Sequence, residues 1–493
     1  MTLHVTNTLT GEREPFEPVN EDEVLLYLCG LTTSDPAHLG HARTWVHTDV
    51  IHRWLEQSGY DVRHVENFTD VNEKIVARVG EDGDSEAEVA RGYIEEFIGE
   101  MRALNLLRAE VYPRVTEHLD EIVDLVETLI EEGYAYESNG SVYFDVTTFE
   151  DYGTLSNQDL DEIEAQGDPD EQAEKRHPAD FALWKADGVT PDEIEEHRHE
   201  AAAPPEAACE TAMTWDSPWG EGRPGWHIEC SAMSMTHLDR TFDIHVAGRD
   251  LVFPHNENEI AQAEAATGQR FARYWLHTGL LETEGDKMSS SLRNFFTVSD
   301  ALDAFGSNVI RTFFVSTVYN AKQTYSEDAL AEAEERWERL ERAYDAAVAA
   351  CDSPDAYAKV EDDDLRAAVE DTREDFRTAM NDDFNSREAL SALLELSTAV
   401  NRHVDEREEY DYRGLRRAIE AYETYGEGVF GLSFRGEATG DVRLAEDLVE
   451  LVLDVREEER EAGNYERADR LRDGLEALDI EVQDTDDGPE YRL

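Results

Sequence analysis

The chain has 493 residues, 40% of them hydrophobic, which is enough to bury a large core divided among several domains. The formal net charge is −70, from 44 basic and 114 acidic residues, and such acidity disfavours a polyanionic partner such as a nucleic acid. The sequence contains no long apolar run and no signal-peptide pattern, so we expect a cytoplasmic protein without a membrane span.

The first part of the sequence predicts strands and helices in alternation. The apolar run Val24–Leu28 predicts a buried strand that ends at Cys29, and residues 40–57 carry apolar side chains at helical spacing. Gly59 ends that helix, and Val62–Phe68 predicts the next strand. Strand, turn and helix in this order indicate a parallel sheet with crossover helices, an α/β fold.

The middle of the chain is less regular. We predict a helix over Val115–Ala135, a hairpin around Ser138–Val146 and a loop-rich, acidic insertion over Asp159–Thr214. The α/β pattern resumes at Phe242–Val246, and a further hairpin is predicted over His277–Thr283.

Beyond Ser326 helical patterns dominate, and residues 480–493 predict a small terminal hairpin. The predicted helices are Ser326–Cys351, Asp362–Met380, Ser386–Val404, Gly414–Tyr425, Val442–Ala462 and Gly463–Leu478. A helical region therefore follows the α/β region.

Two short motifs indicate ATP chemistry. His38-Leu39-Gly40-His41 lies at a strand-to-helix junction, where glycine permits close approach of a ligand and the helix N-terminus and imidazoles favour phosphate oxygens. Lys287-Met288-Ser289-Ser290-Ser291 places one lysine and three hydroxyls on a loop that can fold over a triphosphate. Each motif alone is more often a structural turn or a solvated loop, and their joint occurrence favours an ATP-using enzyme.

Four further residues form a candidate metal site. His255 and Glu259 are four residues apart in Pro254–Ala266, which has helical character, so their side chains share one face. With Cys29 and Cys230 they provide two thiolates, an imidazole and a carboxylate, a set that suits tetrahedral zinc. Spacing alone favours the alternative of two ordinary buried cysteines and a polar surface pair, since no close pair of cysteines indicates a metal.

The sequence resembles the cysteinyl-tRNA synthetases, which are class I aminoacyl-tRNA synthetases. The similarity covers nearly the entire chain, apart from an insertion around residues 190–212. It rests on the segments Cys29-Gly30, His38–Arg43, Asn67–Lys74, Ser217–Met233, Asp250–Ile260, Lys287–Ser291 and Phe376–Asn385.

The resemblance implies a Rossmann-like catalytic domain with a connecting insertion, followed by an α-helical anticodon-binding domain. The two catalytic halves are expected at residues 1–118 and 216–325, with the insertion at 119–215 between them. The anticodon-binding domain is expected at 326–435 and a small C-terminal domain at 436–493.

The resemblance also implies a reaction in two steps. The carboxylate of L-cysteine attacks the α-phosphate of ATP, giving cysteinyl-adenylate and pyrophosphate, and the cysteinyl group then passes to the terminal ribose of tRNA(Cys). His38, His41 and Lys287 would stabilise the first transition state. The protein is expected to act as a monomer, with Mg²⁺ accompanying the ATP.

The remaining residue roles follow from the same resemblance. Gly40, Lys287, Ser289 and Ser290 would bind ATP, and Thr69 and Trp226 would bind the substrate cysteine. One zinc ion, which recognises the substrate thiolate, would be held by Cys29, Cys230, His255 and Glu259. The sequence departs from the family at Ser290, where lysine is usual, and this removes one positive charge near ATP.

Two alternatives are weighed against this interpretation. A related ATP-dependent cysteine:amino-sugar ligase would share the ATP and zinc motifs but lack a full anticodon-binding region, which Phe376–Asn385 and the helical tail resemble. A non-catalytic tRNA-binding paralogue would be expected to lose part of the ATP apparatus, yet His38, Gly40, His41 and Lys287 are all present.

The acidity itself suggests an adaptation to salt. Acidic residues are distributed along the whole chain, within segments that have the periodicity of folded domains. Their mutual repulsion destabilises a compact fold at low salt, whereas at ~1 M salt the screening length is only about 3 Å. We therefore expect a protein adapted to a very salty cytoplasm, where screening also weakens the repulsion of nucleic acids.

We predict that the protein unfolds when KCl is lowered from about 3 M to about 0.1 M, because unscreened carboxylates repel one another. Circular dichroism followed during dialysis measures this loss of structure. An uncharged osmolyte at equal osmolarity is the control, since it screens no charge, and equal stability at both salt concentrations would contradict the hypothesis.

Overall fold

The computed structural model describes residues 2–160, 163, 169–186, 188–283, 286–287, 296–435, 456, 467, 471, 481–485 and 488–492. Residues Met1–Leu432 form one compact unit, and Ser433–Leu493 form a second. The finer domain boundaries expected from the sequence stay predictions. Among the described residues, no helix combines the length and apolar character needed to traverse a bilayer.

The strands and helices are numbered in chain order. The strands are β1 His4–Asn7, β2 Glu12–Pro15, β3 Glu23–Thr32, β4 Asp61–Thr69, β5 Ala135–Ser138, β6 Ser141–Phe144, β7 Phe181–Ala186, β8 Trp215–Ser217, β9 Gly220–Pro224, β10 Phe242–Gly248, β11 Ala272–Thr278, β12 Leu281–Thr283, β13 Asp286–Lys287, β14 Gln323–Tyr325, β15 Ala356–Tyr357, β16 Tyr410–Asp411, β17 Glu481–Thr485 and β18 Gly488–Arg492. The helices are α1 Leu39–Gln57, α2 Glu73–Val76, α3 Glu86–Ala103, α4 Leu119–Glu131, α5 Pro169–Glu174, α6 Pro191–His197, α7 Pro205–Cys209, α8 Trp226–His237, α9 Glu257–Thr267, α10 Val298–Val315, α11 Glu327–Cys351, α12 Asp363–Met380, α13 Ser386–Glu406 and α14 Tyr412–Ala421.

A parallel sheet of four strands, in the order β11-β10-β3-β4, forms the centre of the first unit. The inner strand β3 carries the uninterrupted apolar run Val24–Leu28, all of it buried, as expected for a strand covered on both faces. Leu26 lies opposite Ile244 of β10 on one side and His64 of β4 on the other. This register fixes the edge at which all four strands end.

A second sheet lies between the two halves of the parallel sheet in sequence. Its five strands are antiparallel, in the order β5-β6-β7-β9-β8, and their buried face belongs to a core shared with α4, α8 and α9. Phe144 and Phe181 stack within this core, with ring centroids 5.0 Å apart. The sheet thus rests against α8, the helix that carries Cys230.

Helices α11 to α14 form the helical part of the first unit. Their contact faces are lined by buried apolar side chains, among them Trp337, Leu340, Leu393 and Leu415. The segment that follows α14 is tied to the α/β part by the buried Arg311 of α10, whose Nε donates to the carbonyl of Phe430 at 2.6 Å.

Most of the predicted elements are confirmed. The predicted strands and helix of the amino-terminal part correspond to β3, α1 and β4, and the strand predicted at Phe242–Val246 lies within β10. Helices predicted between Ser326 and Tyr425 correspond to α11–α14, and the terminal hairpin is β17–β18. The helices predicted over Val442–Ala462 and Gly463–Leu478 lie outside the described residues, apart from 456, 467 and 471.

Two predicted elements have the wrong bounds. The helix predicted over Val115–Ala135 begins only at Leu119 and ends at Glu131, because Gly133 adopts a left-handed φ of 88° that stops the helix. The stretch predicted to be loop-rich contains β7, which pairs with β6 and β9. Local composition did not show these tertiary pairings.

The hairpin predicted over His277–Thr283 is wrong. His277 and Thr278 end β11 in the parallel sheet, and the hairpin is instead formed by β12 with β13. Gly279 lies between the end of β11 and the start of β12, and any Cβ at this position would collide with the carbonyl oxygen of Ala321. The chain therefore leaves the sheet at a glycine that a neighbouring segment crowds.

A buried carboxyl group beneath α1 makes the stability of this unit dependent on pH. Glu66 of β4 is 3% exposed and accepts a hydrogen bond of 2.8 Å from Nε1 of Trp45. Burial raises the pKa of Glu66 to about 8, although the Trp45 bond opposes the shift. Between pH 4.5 and about 8 the folded state holds a proton that the unfolded chain releases, so stability falls as pH rises.

We predict that Glu66→Gln, which retains the acceptor for Trp45, increases the free energy of unfolding at about pH 9 by on the order of a few kcal/mol. The gain should shrink toward about pH 5, where the wild-type carboxyl is protonated. Denaturant titrations at constant high KCl measure it, with the exposed Glu131→Gln as control. A gain that is independent of pH would contradict the assignment.

Candidate active site

A cleft of about 390 Å³ opens at the carboxyl edge of the parallel sheet. The four parallel strands end at this edge, and residues at or near their ends line the cleft: Gly30, Thr69, Gly248 and Thr278. The chain runs from β3 outward to β4 on one side, and β10 and β11 lie on the other. Ligand sites of open α/β sheets form at such a switch point of the strand order.

The turn His38-Leu39-Gly40-His41 starts α1 beside this cleft. His38 is the N-cap, and the two histidines cap the helix reciprocally. The backbone N–H of His41 donates to Nδ1 of His38, and the backbone N–H of His38 donates to Nδ1 of His41, both at 3.3 Å. The rings stack with centroids 3.6 Å apart. A Cβ on Gly40 would meet Cε1 of His38 at 2.8 Å, so only glycine leaves this stack undisturbed.

The reciprocal caps determine the tautomers of the two imidazoles. Because each Nδ1 accepts a hydrogen bond, a neutral ring carries its proton on Nε2. Burial, followed by the neighbouring His38, lowers the pKa of His41 well below its usual value. His41 is therefore a neutral residue with an Nε2–H donor at pH 7.

A bulge in β3 sets the position of Cys29. The register between β3 and β4 shifts between Leu28 and Leu31, so Cys29 and Gly30 both lie near Asn67 of β4. The Asn67 side-chain oxygen accepts a hydrogen bond of 2.9 Å from the Gly30 N–H, and any Cβ on Gly30 would collide with the Asn67 carbonyl. This close approach fixes the chain directly after Cys29.

Cys29, Cys230, His255 and Glu259 meet in one buried cluster, in which one possible ligand atom from each residue lies within 4.8 Å of the others. The Cys29 sulfur is 3.9 Å from the Cys230 sulfur and 3.5 Å from Nε2 of His255. It is 4.0 Å from Oε1 of Glu259, which lies 2.7 Å from Nε2 of His255.

The distances from the Cys29 sulfur to the Cys230 sulfur and to Nε2 of His255 fit a tetrahedral zinc site. Zinc bonds of the usual lengths give tetrahedral edges of about 3.8 Å between two sulfurs and about 3.6 Å between sulfur and imidazole nitrogen. The His255–Glu259 contact is shorter than an edge and has the length of a direct hydrogen bond. A hydrogen bond from Cys29 lowers the pKa of Cys230 to about 6, which favours the thiolate that zinc prefers.

Two further histidines orient the ligands. Nε2 of His245 donates to Oε2 of Glu259 at 2.6 Å, and Nδ1 of His227 lies 3.0 Å from Nδ1 of His255. Burial alone would raise the pKa of Glu259, but His245 and His255 outweigh it and hold that pKa well below its ordinary range. Hydrogen bonds of this kind hold metal ligands in the orientation needed for binding.

His255 does not lie within the regular helix predicted from Pro254. α9 begins at Glu257, after an irregular turn in which Phe253 has φ −137° and ψ 134°. This extended backbone is expected for a residue that precedes proline. The turn nevertheless places His255 beside Glu259.

The two predicted substrate residues line the same cleft. Trp226 is the first residue of α8 and is 38% exposed, with its ring centroid 4.6 Å from that of His255. Thr69 ends β4, and its hydroxyl accepts a hydrogen bond of 3.3 Å from Nδ2 of Asn67. Both residues are therefore close to the cysteine–histidine cluster and to the histidine turn.

The second motif is described only in part. Lys287 is the last residue of β13 and pairs with Glu282 of β12. Ser289 and Ser290 lie outside the described residues. The structure thus gives the backbone position at which the predicted ATP loop begins.

Three residues that support the cluster were not predicted from the sequence: His227, His245 and Asn67. The strand Phe242–Gly248 reads as an ordinary apolar strand, yet it contains a histidine that is completely buried. A buried histidine needs a polar partner, and this requirement could have pointed to a second layer around the ligands.

Two family models match the chain. Residues 15–335 match the class I (C) tRNA synthetase catalytic domain, and residues 375–435 match the DALR domain. The chain is 69% identical to a cysteine–tRNA ligase of Haloarcula marismortui and 62% identical to one of Halobacterium salinarum, each aligned over all of both chains. A cysteine–tRNA ligase of Thermococcus onnurineus is 43% identical, covering 99% of this chain and 98% of its own.

Solved structures with low sequence identity share the fold. Methionyl-tRNA synthetase of Mycobacterium tuberculosis, bound by methionyl-adenylate, superposes with a TM-score of 0.60 at 16% identity, covering 83% of this chain and 92% of that one. The leucyl enzyme of Agrobacterium radiobacter gives a TM-score of 0.59 at 12% identity, covering 84% of this chain and 85% of that one. Both likenesses concern the architecture alone.

We predict that Cys230→Ser lowers the zinc content of the purified protein from about one ion per chain to a small fraction, because an alcohol is a poor zinc ligand. Metal analysis after dialysis measures the loss. Cys351→Ser is the matched control, since Cys351 is a buried cysteine at the end of α11 that does not belong to the cluster. Full zinc content in Cys230→Ser would refute the ligand assignment.

Proposed function

The chain belongs to the cysteine–tRNA ligase family of class I synthetases, and on that premise we propose that it activates L-cysteine with ATP and transfers it to tRNA(Cys). The observation that carries this proposal is the shared cleft. The cluster around Cys29 is of a kind that binds thiols, and the turn His38–His41 is of a kind that binds phosphate. Residues of both line the same cavity. One small substrate can therefore contact both.

The proposed first step joins the substrate carboxylate to the α-phosphate of ATP. A carboxylate oxygen forms the new bond to phosphorus, and the bond from phosphorus to the bridging oxygen breaks, so that pyrophosphate leaves. The Nε2–H of His41 donates a hydrogen bond to phosphate oxygens as their charge grows, without itself changing protonation. His38 contributes in the same way from the stacked ring, and Gly40 leaves room for the phosphate.

Selectivity for cysteine is proposed to come from the cluster. When zinc is bound by Cys29, Cys230, His255 and Glu259, it supplies a Lewis acid that prefers a thiolate to an alcohol, which distinguishes cysteine from serine. His245 and His227 hold the Glu259 and His255 side chains in place for that purpose. Trp226 and Thr69 line the space in which the substrate is proposed to lie.

In the proposed second step a hydroxyl of the terminal ribose of tRNA(Cys) attacks the activated carbonyl carbon, and AMP leaves with the bonding electrons. ATP is taken to bind with Mg²⁺, and Lys287, Ser289 and Ser290 to contact its phosphates from the second motif. We further propose a monomer that acts in the cytoplasm. The two relatives from halophilic organisms support an adaptation of this acidic chain to salt.

Cysteine-dependent exchange of pyrophosphate into ATP, measured at high KCl, tests the first step. Charging of tRNA(Cys) transcripts with labelled cysteine tests the second step. Exchange without charging would indicate the amino-sugar ligase chemistry instead, which glucosamine-type acceptors would reveal. If neither activity is present in the zinc-loaded protein, the proposal is wrong and a binding role remains.

We predict that Lys287→Ala lowers kcat of the exchange reaction by ~10²-fold or more, the scale of one preorganised electrostatic contact to a transition state. Steady-state kinetics measure the change. Lys359→Ala is the control, because Lys359 is exposed near β15 and distant in sequence from both motifs. An unchanged kcat in Lys287→Ala would remove this residue from the mechanism.

A further inference from the structure

Arg43, the fifth residue of α1, has an unusual environment. Its guanidinium is buried, with 1% of the residue exposed, and among the described residues no carboxylate lies within ion-pair distance of it. Buried arginine is normally paired with an acid, as Arg311 is with Asp49. The environment of Arg43 therefore needs another explanation.

Backbone carbonyls take the place of the missing acid. Nη1 of Arg43 donates to the carbonyl oxygens of Gly279 at 2.7 Å and Leu280 at 3.1 Å. Nη2 donates to those of Val318, Tyr319 and Ala321, at 3.2, 3.4 and 2.6 Å respectively. One side chain of α1 thus holds five carbonyl groups that belong to two separate segments.

The two segments lead into two paired strands. Gly279 and Leu280 come directly before β12, and Ala321 comes shortly before β14, which runs parallel to β12. β12 also pairs with β13, the strand that ends at Lys287. The carbonyls bound by Arg43 therefore form the base of the small sheet from which the second motif departs.

The chain that follows the second motif returns to the same turn. The N–H of Leu39 donates to the carbonyl of Phe296 at 3.2 Å, and the N–H of Val298 donates to the carbonyl of Ala37 at 2.9 Å. Backbone hydrogen bonds thus fasten the far end of the loop to the histidine turn. At the near end the corresponding connection is made by the side chain of Arg43.

We propose that Arg43 is a positioning residue for the adenylation step, which sets the hairpin carrying Lys287 at a fixed place relative to His38 and His41. This inference rests on the proposed function for its kinetic consequence, but its structural content is independent of it. Two catalytic elements that lie far apart in sequence must agree in position to within a fraction of an ångström. A rigid guanidinium with five carbonyl acceptors is suited to impose that agreement.

The test compares Arg43→Met with Arg311→Met in full-length, zinc-loaded protein at high KCl. Arg311 is the matched control, because it is equally buried and also binds carbonyls, those of Leu104 and Phe430, without touching the base of the hairpin. We expect Arg43→Met to lower kcat of exchange by on the order of 10²-fold, the cost of a misplacement of about 1 Å. The KM for cysteine and the zinc content should stay unchanged, because the metal cluster is held by β3, α8 and the start of α9, none of which Arg43 contacts through its guanidinium.

A second measurement does not depend on activity. Hydrogen exchange without substrates should show lost amide protection over Leu281–Thr283 and Gln323–Tyr325 in Arg43→Met, and retained protection there in Arg311→Met. If Arg43→Met does not fold, Arg43→Lys serves, because an ammonium keeps the charge but cannot reach both segments.

The outcomes separate the two proposals. A wild-type protein without pyrophosphate-exchange activity would refute the proposed function. The amide hydrogen-exchange protection of β12 and β14 would still decide the role of Arg43. Unchanged amide protection at β12 and β14 in Arg43→Met would overturn the positioning role. The same conclusion would follow if Arg311→Met lowered kcat as much as Arg43→Met does.

Discussion

Parallel pairing of β3 with strands on both of its sides is the constraint on which the rest of this molecule depends. Because β4, β3, β10 and β11 run in one direction, their carboxyl ends meet at one edge, and Gly30, Thr69, Gly248 and Thr278 line the cleft there. The bulge at Cys29–Gly30 then turns one sulfur toward that edge, and the histidine turn follows a few residues later. The cluster and the histidine turn therefore lie beside the same cleft.

Buried charge in this chain is handled in two different ways. Arg311 is neutralised by Asp49, which also pairs with Arg53 at 2.8 Å, so removing Asp49 would strand Arg311 in the interior whereas removing Arg311 leaves Asp49 a partner. Arg43 is solvated by carbonyl dipoles alone, and burial lowers its pKa only to about 10, which leaves it charged at physiological pH. An ion pair fixes two side chains relative to each other, whereas hydrogen bonds from one side chain to several carbonyls fix the path of the backbone.

The lysines of this acidic protein are unevenly distributed. Lys74 lines the active cleft, and Lys175 and Lys185 line an adjoining cavity of about 210 Å³ that shares Trp226 with it. A fourth lysine, Lys287, belongs to the second motif. Four of the six lysines of the chain thus line the cleft or the adjoining cavity or belong to the second motif, whereas Lys322 pairs with Glu282 and Lys359 is exposed near β15.

Elements with strong periodicity were predictable from the sequence, because β3, α1 and α11–α14 bury one continuous face or run. The failures occurred where tertiary contacts decide. Neither the crowding of Gly279 by Ala321 nor the pairing of β7 leaves a local pattern in the sequence. The four cluster residues were predicted from the family resemblance, because their spacing alone favoured an ordinary structural role. The supporting residues His245, His227 and Asn67 lie on β10, α8 and β4, which only folding brings together.

The reciprocal capping of His38 and His41 gives these residues two tasks that ordinary capping residues would not combine. Serine or aspartate at the same positions could satisfy the free N–H groups of the helix, yet neither would present a neutral N–H to a ligand. Each ring uses its Nδ1 for the helix, and both residues line the cleft. If these histidines bind phosphate as proposed, the start of α1 cannot be optimised for folding independently of catalysis, and both demands restrict variation at these positions.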